Sequence, residues 1–127
     1  MDKRVITNNI KKISTLKTKS IFIIGLSEDC FQAGEVLREL GYDIYAYASD
    51  DIIVVNKNNK TNIIFAEKWF SGDIKSVIKI VEFDSAVTTR NSVYLTSSDH
   101  YENKLKAGGY VKDVDYFRIN QNAEVRK

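Results

Sequence analysis

The sequence has no proline, one cysteine and one histidine among its 127 residues. Without proline there is no proline-rich linker and no proline-rich ligand motif. A single thiol, Cys30, excludes an internal disulfide and any cysteine-based zinc site. With His100 as the only imidazole, a metal site would rest mainly on carboxylates. One unpaired cysteine is simplest in a reducing, cytoplasmic setting. No apolar run approaches the roughly 20 residues that cross a bilayer, and the basic N-terminus has no apolar stretch behind it, so it does not read as a signal peptide. Excess charge is also missing: the formal net charge is +2, too little to imply nucleic acid by itself.

What is present suits one globular domain over 1–127. Apolar residues make up 43% and charged residues 28%, and seven Tyr and six Phe argue against a disordered chain. Residues 1–19 carry Lys3, Arg4, Lys11, Lys12, Lys17 and Lys19 against Asp2 alone, with Ile6, Ile10, Ile13 and Leu16 at helical spacing. They read as a basic amphipathic helix whose apolar stripe packs on the domain; contact with a membrane surface or nucleic acid is the other reading. An α/β core follows over 20–119. Ile21-Phe22-Ile23-Ile24 is a strand apolar on both faces, as in a parallel sheet. Gly25 ends it, Ser27 or Asp29 caps a helix, and Gly41 stops that helix. Tyr42 to Ala48 reads as the next strand, which completes a βαβ unit with a right-handed crossover.

Ile52–Val55 and Asn62–Phe65 read as a short hairpin around an Asn-rich turn, with an edge open to a homodimer or a partner domain. Short helices are expected over 67–83, with Ile74, Val77, Ile78 and Val81 as their apolar face and Trp69 and Phe70 in the core. Ser92–Thr96 is a strand. Asp99 with Glu102 resembles a capping box for a helix to Lys106, which Gly108-Gly109 ends. Asp115–Ile119 is a last strand, and 120–127 is a polar tail. The fold class is therefore α/β: a Rossmann-like open, mostly parallel sheet with helices on both faces and a short β-hairpin.

In such sheets ligands bind at the carboxyl ends of the strands, where the strand order reverses. Three segments qualify: Gly25-Leu26-Ser27-Glu28-Asp29, then Ser49-Asp50-Asp51, then Ser97-Ser98-Asp99-His100. The dinucleotide fingerprint G-x-G-x-x-G falls on Gly25, Ser27 and Cys30, so one glycine of three is present. Glu28 and Asp29 add negative charge where a diphosphate would lie. An ordinary capped turn competes with a nucleotide or nucleotide-sugar site there. Asp50 and Asp51 lie 25 and 26 residues after Gly25, near the spacing of a ribose-binding acid, though Asp is also common where strands end. His100 reads as a surface or capping residue before a general acid or base, because neighbouring residues at a helix start diverge. Cys30 reads as a packing residue whose acidic neighbours raise its pKa.

Two stretches resemble a known family. IFIIGLSEDCFQAGEVLRELGYDIYAYASDD (21–51) is similar to a strand, glycine loop, helix, L-x-x-x-G-Y and strand ending in Asp. VYLTSSDHYENKLKAGGYVKDVDYF (93–117) is similar to a closing unit of strand, polar loop, helix with an L-x-x-x-G end and a short Asp-Tyr-Phe strand. Both resemble the N-terminal Rossmann-like domains of bacterial surface-polysaccharide enzymes, the capsule-type nucleotide-sugar dehydratases and epimerases. The resemblance implies a nucleotide-binding fold with Gly25, Ser27 and Asp50 at the positions for a nucleotide or NAD(P), and a main chemistry that resides in another domain. Three functions then compete. The first is a non-catalytic nucleotide or nucleotide-sugar binding or accessory domain, linked to surface-polysaccharide biosynthesis. The second is a protein-interaction or structural domain on a degenerate Rossmann-like fold. The third, a small enzyme using His100 or Asp50 and Asp51, lacks a nucleophile–base–orienter set.

Overall fold

The computed structural model describes residues 3–50, 52–57, 60–65 and 80–121, with side chains over 3–50 and 80–121. The elements run α1 (Lys3–Lys11), β1 (Ser20–Ile24), α2 (Glu28–Glu39), β2 (Ala46–Ser49), β3 (Ile52–Lys57), β4 (Lys60–Phe65), β5 (Ile80–Glu82), α3 (Phe83–Val87), β6 (Ser92–Thr96), α4 (Asp99–Ala107) and β7 (Tyr116–Arg118). β5, β2, β1, β6 and β7 lie side by side in that order, and every pairing is parallel. β3 and β4 form a separate antiparallel pair, as the hairpin reading requires. Among the described residues no helix is long and apolar enough to cross a membrane.

β1 shows why its apolar run is continuous. Ile21 and Ile23 pack toward α1 and α2, while Phe22 and Ile24 pack toward α3 and α4. A central parallel strand has no wet face, so both parities are apolar. Its register with both neighbours is continuous: Phe22 stands opposite Ala46 on β2 and Tyr94 on β6. The two long sheet-covering helices end alike. Tyr42 N–H donates to Leu37 O and Gly41 N–H to Arg38 O, with Gly41 at φ 90°. Tyr110 N–H donates to Leu105 O and Gly109 N–H to Lys106 O, with Gly109 at φ 91°. Both are Schellman closures, which need a left-handed residue that glycine adopts without strain.

Four details differ from the sequence reading. α1 ends at Lys11, and Ile13 and Leu16 are buried from turns beyond it. The chain must turn back there to begin β1, and Asn9 Nδ2 fixes the helix end by donating to Ile119 O and Gln121 O. β2 begins at Ala46, because Tyr42 N–H is spent closing α2. Residues 80–82 form β5 where a helix was expected; Val81 pairs with Ala48, so its apolar character serves the sheet. Finally, Ser98 rather than Asp99 caps α4, accepting from Tyr101 N–H, while Glu102 turns inward. The expectations for Asp51, Trp69, Phe70, Ile74, Val77 and Ile78 fall outside the described residues.

Candidate functional site at the carboxyl edge

Consecutive parallel strands run outward from β1, first through β2 to β5 and then through β6 to β7, so the order reverses between β1 and β6. This is the switch point at which open α/β sheets take ligands. The segments named from sequence meet there. Gly25 leaves β1 at φ 120°, with its N–H donating to Ala48 O at 2.6 Å. A Cβ on Gly25 would sit 3.1 Å from Cys30 Sγ and 3.6 Å from the Tyr101 ring, so both conformation and space require glycine. Ser27 caps α2, accepting from Cys30 N–H at 3.3 Å. Glu28 and Asp29 then lie in the first turn, where the helix dipole favours acids.

The loops after β1 and β6 touch. Ser27 Oγ and Ser97 Oγ are 2.8 Å apart, and Ser97 Oγ is 3.4 Å from Cys30 Sγ. The Cys30 thiol donates to Ile24 O at 3.6 Å. One proton order satisfies all three groups: Ser27 O–H donates to Ser97, Ser97 O–H donates to the sulfur, and the thiol donates to the β1 carbonyl. Burial pushes the Cys30 thiol up, against the weaker opposing effect of hydrogen bonds from Ser27 and Ser97. The thiol is a packed hydrogen-bonding group here, as the packing reading held, but burial rather than the acidic neighbours leads the shift.

Asp50 directly follows β2 and takes three side-chain partners from α4. Tyr101 O–H donates to Oδ1 at 2.9 Å, Lys104 Nζ donates to Oδ2 at 3.0 Å, and His100 Nε2 lies 2.7 Å from Oδ2. Tyr101 also lies 2.9 Å from Ser49 Oγ and accepts from Asp50 N–H at 3.0 Å. Burial works against ionising Asp50, but hydrogen bonds from His100, Lys104 and Tyr101 outweigh it and hold the carboxyl at about 2. Lys104 also stands 4.4 Å over the Phe83 ring. Thus α4 clamps the end of β2 through His100, Tyr101 and Lys104; Lys104 stands one turn beyond the other two, and Asp50 lies where the exposed His100 and the buried Tyr101 both reach it.

Arg118, at the end of β7, fixes the β6 loop from the other side. Nη1 donates to Asp99 Oδ1 and Glu102 Oε1, both at 2.7 Å, and Nη2 donates to Ser97 O at 3.2 Å. Asn120 Nδ2 donates to the same carbonyl at 2.8 Å. Glu102 is 6% exposed, and Tyr116 O–H donates to its Oε2 at 2.8 Å. Burial disfavours the Glu102 charge, yet Arg118 and Tyr116 hold its carboxyl below the usual value.

Of the residues named from sequence, the structure joins Ser27 and Ser97 in one contact and Asp50 and His100 in a second, with the Tyr101 ring beside Gly25 and its hydroxyl on Asp50. Ser98 serves α4 as its cap, and Asp51 lies outside the described residues. Ser49, named in the second segment, lies 2.9 Å from the Tyr101 hydroxyl; Tyr101, Lys104 and Arg118 were missed. The spacing of Tyr101 and Leu105 does mark one buried face of α4, which places Tyr101 under the site rather than on the surface. Chemically, the edge offers hydroxyls at Ser27 and Ser97, an ionised carboxylate at Asp50 and the exposed imidazole of His100. No three His, Cys, Asp or Glu side chains converge in a metal-binding group among the described residues. No protein-family model, curated protein or solved structure matches the chain.

Proposed function

We propose that the chain is a non-catalytic binding domain that takes a nucleotide or nucleotide-sugar at the carboxyl edge of its sheet. The observation that carries the reading is the meeting of the Gly25–Ser27 loop and the Ser97–Ser98 loop at the β1/β6 switch point, with ionised Asp50 ending the adjacent strand. Glycine at φ 120° keeps the first loop flush with the sheet, which is what close approach of a ligand to backbone requires. Asp50 stands where a ribose or sugar hydroxyl can donate to a carboxylate. Glu28 and Asp29 disfavour a diphosphate on the α2 N-terminus, so the uncharged part of the ligand supplies the main contacts. The surface-polysaccharide resemblance gives such a domain a setting, as an accessory module beside a catalytic one.

Thermal unfolding of the purified chain with UDP, UDP-sugars, ATP, NAD and NADP tests this. A ligand at a hundredfold excess over Kd stabilises the native state by about 2.7 kcal/mol. The expected result is a rise in Tm with one nucleotide class that Asp50→Asn abolishes. No rise with any of them at millimolar concentration would overturn the reading.

A second reading has its own observation. Each described candidate side chain at this edge already has an intramolecular partner: Ser27 with Ser97, Ser98 with Tyr101 N–H, and Asp50 with three donors. A sealed edge of this kind suits a protein-interaction or structural domain that kept the fold and binds no nucleotide. A flat thermal screen would favour it.

A further inference from the structure

We infer that the Ser27–Ser97 contact is a latch across the mouth of the β1/β6 crevice, and that a bound nucleotide and the closed latch exclude each other. The inference rests on the binding reading above and specifies how that site is regulated.

Neither loop depends on the contact for its placement. Strands β1 and β6 are already joined below it, where Thr96 O–H donates to Ile24 O at 2.9 Å. The Ser97 backbone is placed without its side chain, because Arg118 and Asn120 both donate to its carbonyl. Ser27 completes its capping duty through Cys30 N–H. The hydroxyl–hydroxyl bond at 2.8 Å therefore adds little to the placement of either loop. Its distinct effect is to bridge the two loops that follow β1 and β6, where the strand order reverses.

Opening the bridge frees the Ser27 hydroxyl, while Ser97 Oγ keeps its contact with Cys30 Sγ at 3.4 Å. The Ser27 O–H can then donate to one acceptor inserted between the loops, such as a phosphate oxygen or a sugar oxygen of the nucleotide, and the lone pair it leaves on Ser97 can accept from a ligand hydroxyl. A closed latch lowers the population of the competent state, so apparent affinity falls by the open fraction. A neutral hydrogen bond of this kind corresponds to roughly a two- to tenfold change in that fraction.

The test separates opening from contact by kinetics. UDP and NAD are mixed with the wild-type chain and with Ser97→Ala, and association and dissociation rates are read separately. Loss of a ligand contact speeds dissociation, whereas loss of a latch speeds association. The expected result is association roughly two- to tenfold faster for Ser97→Ala. Ser27→Gly is the second variant, since glycine is tolerated at an N-cap and also removes the latch; it should quicken association likewise. Unchanged association in a variant that binds would overturn the latch while leaving the binding reading intact. Failure of both nucleotides to bind any form would overturn the binding reading and the latch with it.

Discussion

The two faces of the sheet are built from different materials. The buried core under α1 and α2 is mostly aliphatic: Ile6, Ile10, Ile23, Leu26, Leu37 and Leu95 are fully buried, Tyr47 is its one buried tyrosine, and Phe31, Tyr42 and Phe117 pack at its margin. The face under α3 and α4 is aromatic, with Phe22, Phe83, Tyr94, Tyr101 and Tyr116. Each of those tyrosines turns its hydroxyl to a named acceptor. Tyr94 donates to Ala86 O, Tyr101 to Asp50 and Tyr116 to Glu102. A buried tyrosine combines apolar area with one polar end that must be satisfied. The aliphatic face therefore supplies burial without direction, and the aromatic face supplies burial that points. Two of its hydroxyls point to acids at the carboxyl edge, which is how one half of the core comes to organise the candidate site.

The largest test of this contrast is Arg118→Met. It removes the cation between Asp99 and Glu102 but retains apolar bulk. Leaving one member of a buried ion pair unmatched costs about 3–5 kcal/mol, here softened by Lys106 and Lys112 at 3.6 and 3.7 Å from Glu102. Urea denaturation should give a loss of about 3 kcal/mol, comparable to Leu37→Ala on the aliphatic face, for which about 2–5 kcal/mol is expected. A loss below about 1 kcal/mol would mean that the polar network contributes no more than a surface ion pair, and the contrast between faces would fail.

Gly34→Ala sharpens the comparison from the other side. In an exposed helix interior this change adds up to about 1 kcal/mol of stability. Here a Cβ would collide with the Tyr47 hydroxyl, a polar tip in the aliphatic core. Overpacking of this kind costs about 1–3 kcal/mol. The severe overlap is with that oxygen alone, while the Tyr47 ring Cζ at 3.1 Å and Ile44 Cδ1 at 3.3 Å are tight contacts that remain, so Tyr47→Phe in the Gly34→Ala background should recover part of the loss. A double-mutant cycle by urea denaturation reads the coupling directly; additivity would show that the helix tolerates the methyl by shifting as a unit.

Most of the sheet was legible in the sequence because its signals are local. Ile21–Ile24 and Ser92–Thr96 coincide with β1 and β6 to within a residue, and Gly25, Gly41 and Gly109 occupy the positive-φ positions that punctuate the chain. β5 was hidden because three residues, Ile80–Glu82, show too little periodicity to tell a strand from a helix turn; their parallel pairing with β2 is a tertiary fact. The candidate site was legible as three loops but not as a set of bonds. Nothing local in Asp50 signals that a tyrosine, a histidine and a lysine 50 to 54 residues away will converge on it. Arg118 and Glu102, 16 residues apart, meet only because α4 returns alongside β7. The capping box was misread by one residue: Ser98 has the N-cap backbone, so Glu102 falls one place beyond the box and is free to turn inward.

Asp50 provides the smallest of these effects and the most selective one, because it links the aromatic face to the edge. Its carboxyl is held at about 2 in the folded protein, below the ordinary value of 3.8. A depressed folded pKa stabilises the native state above the unfolded pKa, and that stability is lost as pH falls from the upper value to the lower. The contribution is therefore complete near pH 5 and drains between about pH 4 and pH 2. Its size is at most about 2 kcal/mol, since His100 and Lys104 approach from the solvent side and added salt screens them. Glu102 titrates in the same direction, so the wild-type profile alone cannot isolate Asp50. The difference between wild type and Asp50→Asn can. That difference should shrink as pH is lowered from 5 to 2 in urea denaturation series. It should shrink less in Tyr101→Phe, which removes the bond least exposed to salt. A difference that stays constant with pH would mean that Asp50 is held by shape rather than by charge, and the clamp between α4 and β2 would then be a packing contact with an incidental carboxylate.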